Sequence, residues 1–394
     1  MTSTIGVKKI QHTNGTQVMT FDTDGKISSN VSSTGNITTT GTVNTPSING
    51  GQIGGRRNII INGAMQVAQR ATSATGLGNA NDYAVVDRFR FNFANTAGRF
   101  TASQVASGLS GFGNALKLDC TTADTSIASN EFGVVQYNIE GQDLQQFKKG
   151  TSDAEKYTLS FYVKGTAKTY AVELFDGDNN RHVSSLFNVT TSWNRISITF
   201  PADTTGAYDD DNATSLSINF ALHMGSDTTS GTLQTTWGAL SATARYAGID
   251  SFFSSTDNEF FLTGVQLEVG EQATSFEHRS FAEELALCER YFQLFTHNGS
   301  GGGNITNGMI TNTRFYGVLQ FKKDMRAIPT ITTTSSGFNV TSSAHTVGSL
   351  SIDETHNTTI HACRLRTGTN GSFSNGQAAI LRFDSGSINI DAEL

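Results

Sequence analysis

Hydrophobic and polar positions alternate over much of the middle of the chain. In the segment YTLSFYVK at 157–164, every second side chain is strongly apolar. The same period of two recurs in three further runs, at 170–174, 196–200 and 216–222. Turn-forming residues separate these runs, at 176–180, 190–194 and 204–215. A period of two indicates strands with one buried face, and many short strands without intervening helices indicate an antiparallel β-sandwich. We therefore predict such a domain over residues 56–275.

One helix is expected after this region. Ser280 and Glu283 form a capping-box pattern, with Ser280 as the N-cap and Glu283 reaching back. Apolar side chains then follow at spacings of four, three, four and three: Phe281, Leu285, Cys288, Phe292 and Phe295. This stripe predicts one short helix that packs on a sheet or on symmetry mates. The glycine-rich segment HNGSGGGN at 297–304 would end it, so residues 276–304 form a helix and linker.

Strand patterns resume in the last part of the chain, from about residue 305 to residue 394. The candidates are VLQF at 318–321, TITTT at 330–334, AILRF at 379–383 and the closing run SINIDAEL. We predict a second, smaller β-domain here.

The first 55 residues have a different composition. Thr, Ser, Asn and Gly occupy 32 of these 55 positions, and single aliphatic residues recur between them. One such chain buries too little apolar area to offset the entropy of ordering it. The segment is therefore either a flexible polar tail or an intertwined β-stalk in which identical chains pool their aliphatic residues. Its threonine-rich, β-prone composition favours the stalk.

Composition and charge exclude several classes of protein. Charged residues make up 15% of the 394 residues, prolines number 3, and the net charge is -7. The apolar content is too high for a disordered chain, and no apolar run is long enough for a transmembrane helix. The start of the chain lacks the apolar core of a secretory signal. The negative net charge argues against nucleic acid or an anionic membrane as the main partner. We therefore expect no nucleic-acid partner and no membrane insertion.

No catalytic or cofactor motif is present, so we expect neither an enzyme nor a bound cofactor. The three cysteines are far apart and odd in number, which predicts free buried thiols.

The run DGDNNR from Asp176 lacks the glycine and the closing glutamate of a calcium loop, so a hairpin turn is favoured. The acidic run 209–211 is either a solvated loop or a calcium site, with the loop preferred. Glu283 and Glu284 are neighbours and do not face each other as glycosidase carboxylates do.

A binding function fits the residues better. Neutral sugars are held in shallow sites by hydrogen-bonding side chains and aromatic faces. The available aromatic residues are Trp193, Trp237, Tyr83, Tyr208 and Tyr246. We expect Trp193 to pack in the core, because it enters an alternating strand. The candidate glycan-binding residues are therefore taken from turn-rich segments: Trp237, Tyr246, Tyr208 and Asp209.

Two long segments resemble the two ends of a domain common in bacteriophage tail-fibre and receptor-binding proteins. The first is GGRRNIIINGAMQVAQRAT at 54–72, followed by Tyr83 and the triplet Asp87-Arg88-Phe89; the second is FFLTGVQLEVGEQATSFEHRSFAEELALCERYFQ at 260–293. Phe89 departs from the pattern, where Trp is commoner. Between them, KYTLSFYVKG at 156–165 and TSWNRISITF at 191–200 resemble the jelly roll of carbohydrate-binding modules. The C-terminal part is also similar to the last β-domain of such fibres.

The resemblance implies an all-β chain with an N-terminal fibrous β-stalk, a central jelly-roll β-sandwich, one short helix and a small C-terminal β-sandwich, assembled as an intertwined homotrimer. It implies a virion tail fibre, made in the host cytoplasm and acting outside the cell. Residues 1–55 would attach to phage tail adaptor or nozzle proteins, and the sandwiches would bind host surface polysaccharide. For Asp87 and Arg88 we expect a structural ion pair.

Two alternatives remain open. The chain could be a purely structural spacer or adaptor fibre that carries another receptor-binding subunit. It could also be a polysaccharide-degrading tail spike, although such proteins usually contain a long parallel β-helix. We find no coil-length repeat through the middle of this chain.

Overall fold

A computed structural model describes residues 9–11, 17–20, 47–48, 51–52, 56–297, 303–334, 337–342, 346–356 and 358–394. The chain divides into two compact units, Met1–Pro46 and Ser47–Leu394. In the first unit, strands β1 (Lys9–Gln11) and β2 (Gln17–Thr20) pair in antiparallel fashion. Most of the predicted stalk lies outside the described residues, and the intertwined homotrimer stays a prediction.

The second unit begins with the short antiparallel pair β3 (Ser47–Ile48) and β4 (Gly51–Gln52). A central β-sandwich follows. Its thirteen strands are, in chain order, β5 (Ser73–Leu77), β6 (Asn81–Asp82), β7 (Phe89–Ala94), β8 (Arg99–Ala106), β9 (Asn114–Thr122), β10 (Phe132–Glu140), β11 (Tyr157–Gly165), β12 (Lys168–Asp176), β13 (Arg181–Val189), β14 (Asn194–Phe200), β15 (Thr214–Met224), β16 (Gly238–Ala239) and β17 (Glu259–Val269).

These strands form two antiparallel sheets. Sheet I has seven strands in the order β16-β13-β12-β15-β10-β7-β6, and sheet II has six in the order β14-β11-β17-β9-β8-β5. The chain crosses repeatedly between the two sheets, which gives a jelly-roll sandwich. The fold is all-β, as the alternating pattern predicted.

The core of this sandwich is built from alternate strand positions. On β11, Tyr157, Leu159, Phe161 and Val163 are fully buried between the sheets. Aromatic rings add edge contacts, as between Phe161 and Phe220, whose centroids are 5.0 Å apart. The prediction of a hairpin turn after Asp176 is confirmed, because β12 and β13 pair from Asp176 opposite Arg181.

Two α-helices occur in the described part of the chain: α1 (Ser226–Thr229), a single turn, and α2 (Phe281–Cys288). Four short 3₁₀ turns accompany them, at Gly141–Asp143, Gln145–Phe147, Ala242–Ala244 and Phe252–Ser254. Ser280 caps α2 as predicted, since its side chain accepts a hydrogen bond from the Glu283 amide. The Glu283 carboxylate instead binds Arg56.

The predicted helical stripe through Phe292 and Phe295 is wrong. Helix α2 ends at Cys288, and Phe292–Thr296 is a strand, β18, paired with Ser387–Asp391. The spacing of apolar residues fits a helix locally. Pairing with a distant strand satisfies the backbone of this segment instead, and tertiary contacts of this kind override local preference.

A second, smaller sandwich begins with β18. Its further strands are β19 (Asn304–Thr311), β20 (Arg314–Gln320), β21 (Thr330–Thr333), β22 (Phe338–Ser342), β23 (Thr346–Leu350), β24 (Ile352–His356), β25 (Ala362–Thr367), β26 (Ala378–Phe383) and β27 (Ser387–Asp391). Sheet III has the order β18-β27-β21, and sheet IV has the order β23-β22-β26-β19-β20-β25-β24. Ile388 and Ile390 of sheet III share one core with Phe315 and Leu381 of sheet IV.

The two sandwiches are joined by buried polar contacts. Arg88, 1% exposed, forms an ion pair with Glu393 and donates to the Asn138 carbonyl. Its guanidinium carbon lies 3.4 Å from the centroid of the Tyr291 ring. The predicted ion pair of Asp87 with Arg88 is therefore wrong, because the partner of Arg88 comes from the far end of the chain.

Asp87 has a separate role at the same junction. Its carboxylate accepts hydrogen bonds from the Gln69 amide at 2.9 Å and from the Gln69 side chain at 2.6 Å. Burial raises the pKa of Asp87 to about 6, although the hydrogen bonds from Gln69 act in the opposite direction.

No helix in the described ranges combines the length and apolar character that crossing a membrane requires.

Candidate functional site

Two of the predicted binding residues lie together at one end of the central sandwich. Tyr208 and Trp237 flank the ammonium group of Lys149, which lies 5.2 and 5.5 Å from their ring centroids. That ammonium group is buried and pairs with Asp176 at 2.6 Å and Asp203 at 3.2 Å. The aromatic faces are thus used to enclose an internal charge cluster.

The polar atoms of these two aromatic residues also have internal partners. The Trp237 indole donates to the Pro201 carbonyl at 2.9 Å, and the Tyr157 hydroxyl donates to the Tyr208 hydroxyl at 3.3 Å. Tyr208 is 7% exposed and borders a groove of about 410 Å³. Asp209 is exposed beside it, and its backbone amide donates to Asp178. Glycan binding by Trp237, Tyr208 and Asp209 stays a prediction.

Tyr246 lies elsewhere, on the outer side of sheet I, and is fully buried. Its hydroxyl donates to Glu173 at 2.6 Å, and Arg245 donates twice to the same carboxylate, at 2.7 and 2.8 Å. Burial alone would raise the pKa of Glu173, but the hydrogen bonds from its neighbours outweigh it and lower the pKa to about 2. The Tyr246 ring therefore has no exposed face on which a sugar could stack, and the prediction that Tyr246 binds glycan is wrong.

Residues 225–258 cover this outer side of sheet I. Tyr246 meets Glu173 of β12, Ser251 bonds His223 of β15 at 2.8 Å, and the Gln234 side chain donates to the His182 carbonyl of β13. Glu173, His182, Asn219 and His223, which sheet I turns outward beneath this segment, are consequently buried.

Among the described residues, one group of side chains could hold a metal ion: Asp124, Glu131 and His223, whose ligand atoms lie within 4.8 Å of one another. Each already has protein partners. Asp124 accepts from Thr96 and from the Ala97 amide, and His223 bonds Glu131 at 2.6 Å. The acidic run 209–211 does not form such a group.

An open cleft with a volume of about 800 Å³ lies between the two sandwiches. Sheet III forms one wall. Because Ile388 and Ile390 point into the core, the alternate residues of β27 point toward the cleft. The side chains that line this wall are Leu294, Thr296, Thr330, Thr332, Ser387, Asn389 and Asp391. Most of them are small, neutral and able to donate and accept hydrogen bonds.

The opposite wall comes from the central sandwich and carries Arg70 and Tyr83. Arg70 pairs with Asp391 at 2.9 Å and with Glu393 at 3.3 Å, and its guanidinium carbon lies 3.6 Å from the Phe292 centroid. The Tyr83 hydroxyl donates to the Leu394 carbonyl at 2.6 Å. Burial raises the pKa of Tyr83 to about 12, so it stays a neutral phenol. The cleft thus combines paired charges, neutral polar groups and an aromatic ring.

Sequence reasoning did not identify this cleft. The alternation in TITTT and SINID places isoleucines on one face and threonine, serine and asparagine on the other. That pattern identifies which side chains point out of sheet III. It does not say that they face Tyr83 and Arg70, some 250 residues earlier in the chain, across a shared cleft.

Comparison with family models gave no match, and no curated protein matches the sequence. Solved structures with similar parts include the enzymatically active domain of tailspike protein 4 of bacteriophage CBA120, at 14% identity and a TM-score of 0.29. That match covers 54% of this chain but 21% of the tailspike chain.

Two carbohydrate-binding modules are also similar. The family 11 module of the cellulase Lic26A-Cel5E of Clostridium thermocellum has 15% identity and a TM-score of 0.28, covering 51% of this chain and 98% of the module. The CBM22-1 xylan-binding domain of Paenibacillus barcinonensis Xyn10C has 11% identity and a TM-score of 0.24, covering 51% of this chain and 94% of the domain. The identities and TM-scores are low, and the functional argument below rests on the geometry of this chain.

Proposed function

We propose that this chain binds a cell-surface glycan in the cleft between its two sandwiches. The observation that carries the proposal is the lining of that cleft of about 800 Å³, where neutral hydrogen-bonding side chains of sheet III face Tyr83. Sugars offer many hydroxyl groups and weakly apolar ring faces, and sites with few, well-placed polar groups and an aromatic ring suit them. A cleft between domains is also a common place for a ligand.

We further propose that the chain acts as a phage tail fibre. Residues 1–55 would attach to a tail adaptor or nozzle protein, and three chains would form the homotrimer. Support comes from the composition of that segment and from the resemblance of residues 56–293 to fibre proteins. Three copies per fibre and several fibres per virion would raise the effective concentration of weak sites, with avidity gains of about 10² or more.

A binding role fits the cleft better than a catalytic one. Glycosidases use a pair of carboxyl groups on either side of the scissile bond, free to give or accept a proton. Three acidic residues line the cleft: Asp82, Asp391 and Glu393. Arg70 pairs with Asp391 and with Glu393, and Arg88 also pairs with Glu393. Among the described residues Asp82 is the one cleft carboxylate outside an ion pair, and one such group does not make the pair that a glycosidase needs. Incubating host polysaccharide with the protein should leave the length of the polymer unchanged, and shortened products would support the tail-spike alternative.

The experiment that tests glycan binding uses the full chain, host cells and polysaccharide extracted from them. Replacing Thr332 and Asn389 together by alanine should reduce affinity for both at least about 10-fold, because the hydrogen-bonding wall is lost. The matched control is Thr311→Ala, an exposed threonine on sheet IV, which should bind as the parent protein does. Retained binding by the double variant would contradict the cleft assignment. Failure of the parent protein to bind cells or polysaccharide would favour the spacer alternative.

A further inference from the structure

The outer face of sheet II carries a row of side chains that the cleft does not use. The pairing of strands places Lys164 of β11 opposite Phe261 of β17, and Phe261 opposite Lys117 of β9. The row continues through Ser103 of β8 to Ser73 of β5, whose hydroxyls are 3.0 Å apart. Strands are about 4.8 Å apart, so this five-residue row spans about 19 Å. All five side chains reach solvent at least in part.

Aromatic rings fix one end of this row. The Lys164 ammonium group lies 4.6 Å from the Phe261 centroid and 5.1 Å from the Trp193 centroid. Trp193 is held by a hydrogen bond from its indole to the Ser107 carbonyl at 3.0 Å. Trp193 was expected in the core, but it lies half-buried on this outer face, where its ring meets Phe261 edge-on. The two rings hold Lys164 in one place without neutralising its charge.

The two lysines of the row differ in their partners. Lys117 pairs with Glu259 at 2.5 Å and with Asp119 at 3.5 Å. Within the described part of the chain, no carboxylate lies within salt-bridge distance of Lys164. Beside Lys164 is a groove of about 320 Å³, also lined by Thr166, Thr191, Phe261 and Glu259. The Glu259 carboxylate is the one that pairs with Lys117. The geometry thus presents an unneutralised, positioned cation next to an aromatic ring and hydroxyl groups.

We propose that this face is a second glycan site and that it takes an acidic sugar, with the sugar carboxylate on Lys164 and the ring face on Phe261. A carboxylate gains a charge-assisted hydrogen bond from an ammonium group, and the ring supplies the apolar contact. A protein partner fits less well, because a stable protein interface needs about 800 Å² per partner with an apolar centre. Here one aromatic pair is surrounded by charged and hydroxyl side chains.

The site is separate from the cleft between the sandwiches. It uses sheet II and the loops that adjoin it, with no residue of sheet III, so the cleft variant Thr332→Ala/Asn389→Ala should bind acidic polymer as the parent protein does. Loss of binding to host polysaccharide in that variant, with acidic-polymer binding intact, would distinguish the two sites. The second proposal can therefore fail or succeed independently of the first.

The test measures binding of the full chain to two polyuronates, polygalacturonate and alginate, and to carboxyl-reduced forms of both. The parent protein should bind at least one polyuronate at least about 10-fold more tightly than its reduced form, and added salt should weaken binding. Lys164→Gln should lose about 10-fold in affinity for that polymer, and Lys164→Arg should retain most of it. The control Lys156→Gln removes an exposed lysine that pairs with Glu271 and should have no effect.

Three results would overturn the proposal: no binding of either polyuronate by the parent protein, equal binding of the carboxyl-reduced polymer, or unchanged affinity in Lys164→Gln. If Lys164→Gln and Lys156→Gln weaken binding equally, general charge attraction explains it and the site is also refuted. Phe261→Leu separates stacking from charge, because it keeps an apolar side chain and removes the aromatic face. It should weaken polyuronate binding several-fold at unchanged thermal stability.

Discussion

Sheet I and sheet II both turn polar side chains away from the core that they share, but their outer faces are covered to different extents. On sheet I, residues 225–258 bury Glu173, His182 and Asn219, and the polar groups bond to one another. On sheet II, residues 270–277 bury Gln266 and Glu268 at one end, while the other end, around Lys164, is open. There, Lys164 and Phe261 remain partly exposed beside a groove. Whether an outward-facing polar residue stabilises the fold or stays available to a ligand therefore depends on whether another segment covers it.

The largest effect should come from breaking the covered face. Glu173→Ala leaves Arg245 without its carboxylate partner in a buried site, and removing one member of a buried ion pair costs about 3–5 kcal/mol. The matched change on the open face is Glu259→Ala, which removes a partner of Lys117 that solvent can replace. It should cost at most about 1 kcal/mol. Urea unfolding followed by tryptophan fluorescence measures both, and equal losses would contradict the comparison.

A pH titration sharpens the same contrast. The pKa of Glu173 is lowered to about 2 in the folded chain and lies near its ordinary value of 4.5 in the unfolded chain. Its stabilising contribution is therefore complete above pH 4.5 and is lost as the pH falls toward 2, on the order of 3 kcal/mol in all. The free energy of unfolding of Glu173→Gln should vary less over this range than that of the parent protein.

Both proteins compared in this titration should also carry the substitution Asp87→Asn. The pKa of Asp87 is raised from 3.8 to about 6, so its contribution has the opposite sign and declines as the pH rises from 3.8 to 6. Without the Asp87 carboxylate, the change in unfolding free energy with pH reflects the titration of Glu173 more directly. An unchanged pH profile in Glu173→Gln within this background would show that the buried carboxylate is not the group that titrates.

The smallest expected effect concerns single hydroxyl groups. Tyr246→Phe removes one buried hydrogen bond to Glu173 and should cost about 1–2 kcal/mol, with no change in glycan binding. On the open face, Ser103→Ala removes a hydroxyl that water can replace and should stay within about 0.5 kcal/mol. Thermal unfolding and polysaccharide binding are measured on both variants. A loss of glycan affinity in Tyr246→Phe, without a matching loss of stability, would contradict the structural role of this hydroxyl.

Local patterns predicted the strands well because alternation is a property of a strand by itself. The run at 157–163 and the Ser280 cap were both read correctly from neighbouring residues. The helical spacing from Phe281 to Phe295 failed after Cys288, where a strand from the end of the chain pairs with Phe292–Thr296. Spacing within one segment contains no information about such a distant partner.

The candidate site shows the same limit. Composition pointed to neutral, hydrogen-bonding surfaces and to aromatic residues, and the cleft walls have that chemistry. The particular residues chosen, Trp237, Tyr208 and Tyr246, lie against internal charges instead. Turn-rich sequence indicates that a segment is a loop, but a loop that folds back over a sheet buries its aromatic residues.

The sequence by itself determined the all-β class, the two regions of alternating strands and the inward or outward side of most positions. Those features follow from backbone periodicity and from the preference of apolar groups for the interior. Only the tertiary structure decided that Arg88 pairs with Glu393, that residues 225–258 cover sheet I, and that sheet III faces Tyr83 across a cleft. These are contacts between residues far apart in the chain, and they depend on how the sheets pack, which no local pattern contains.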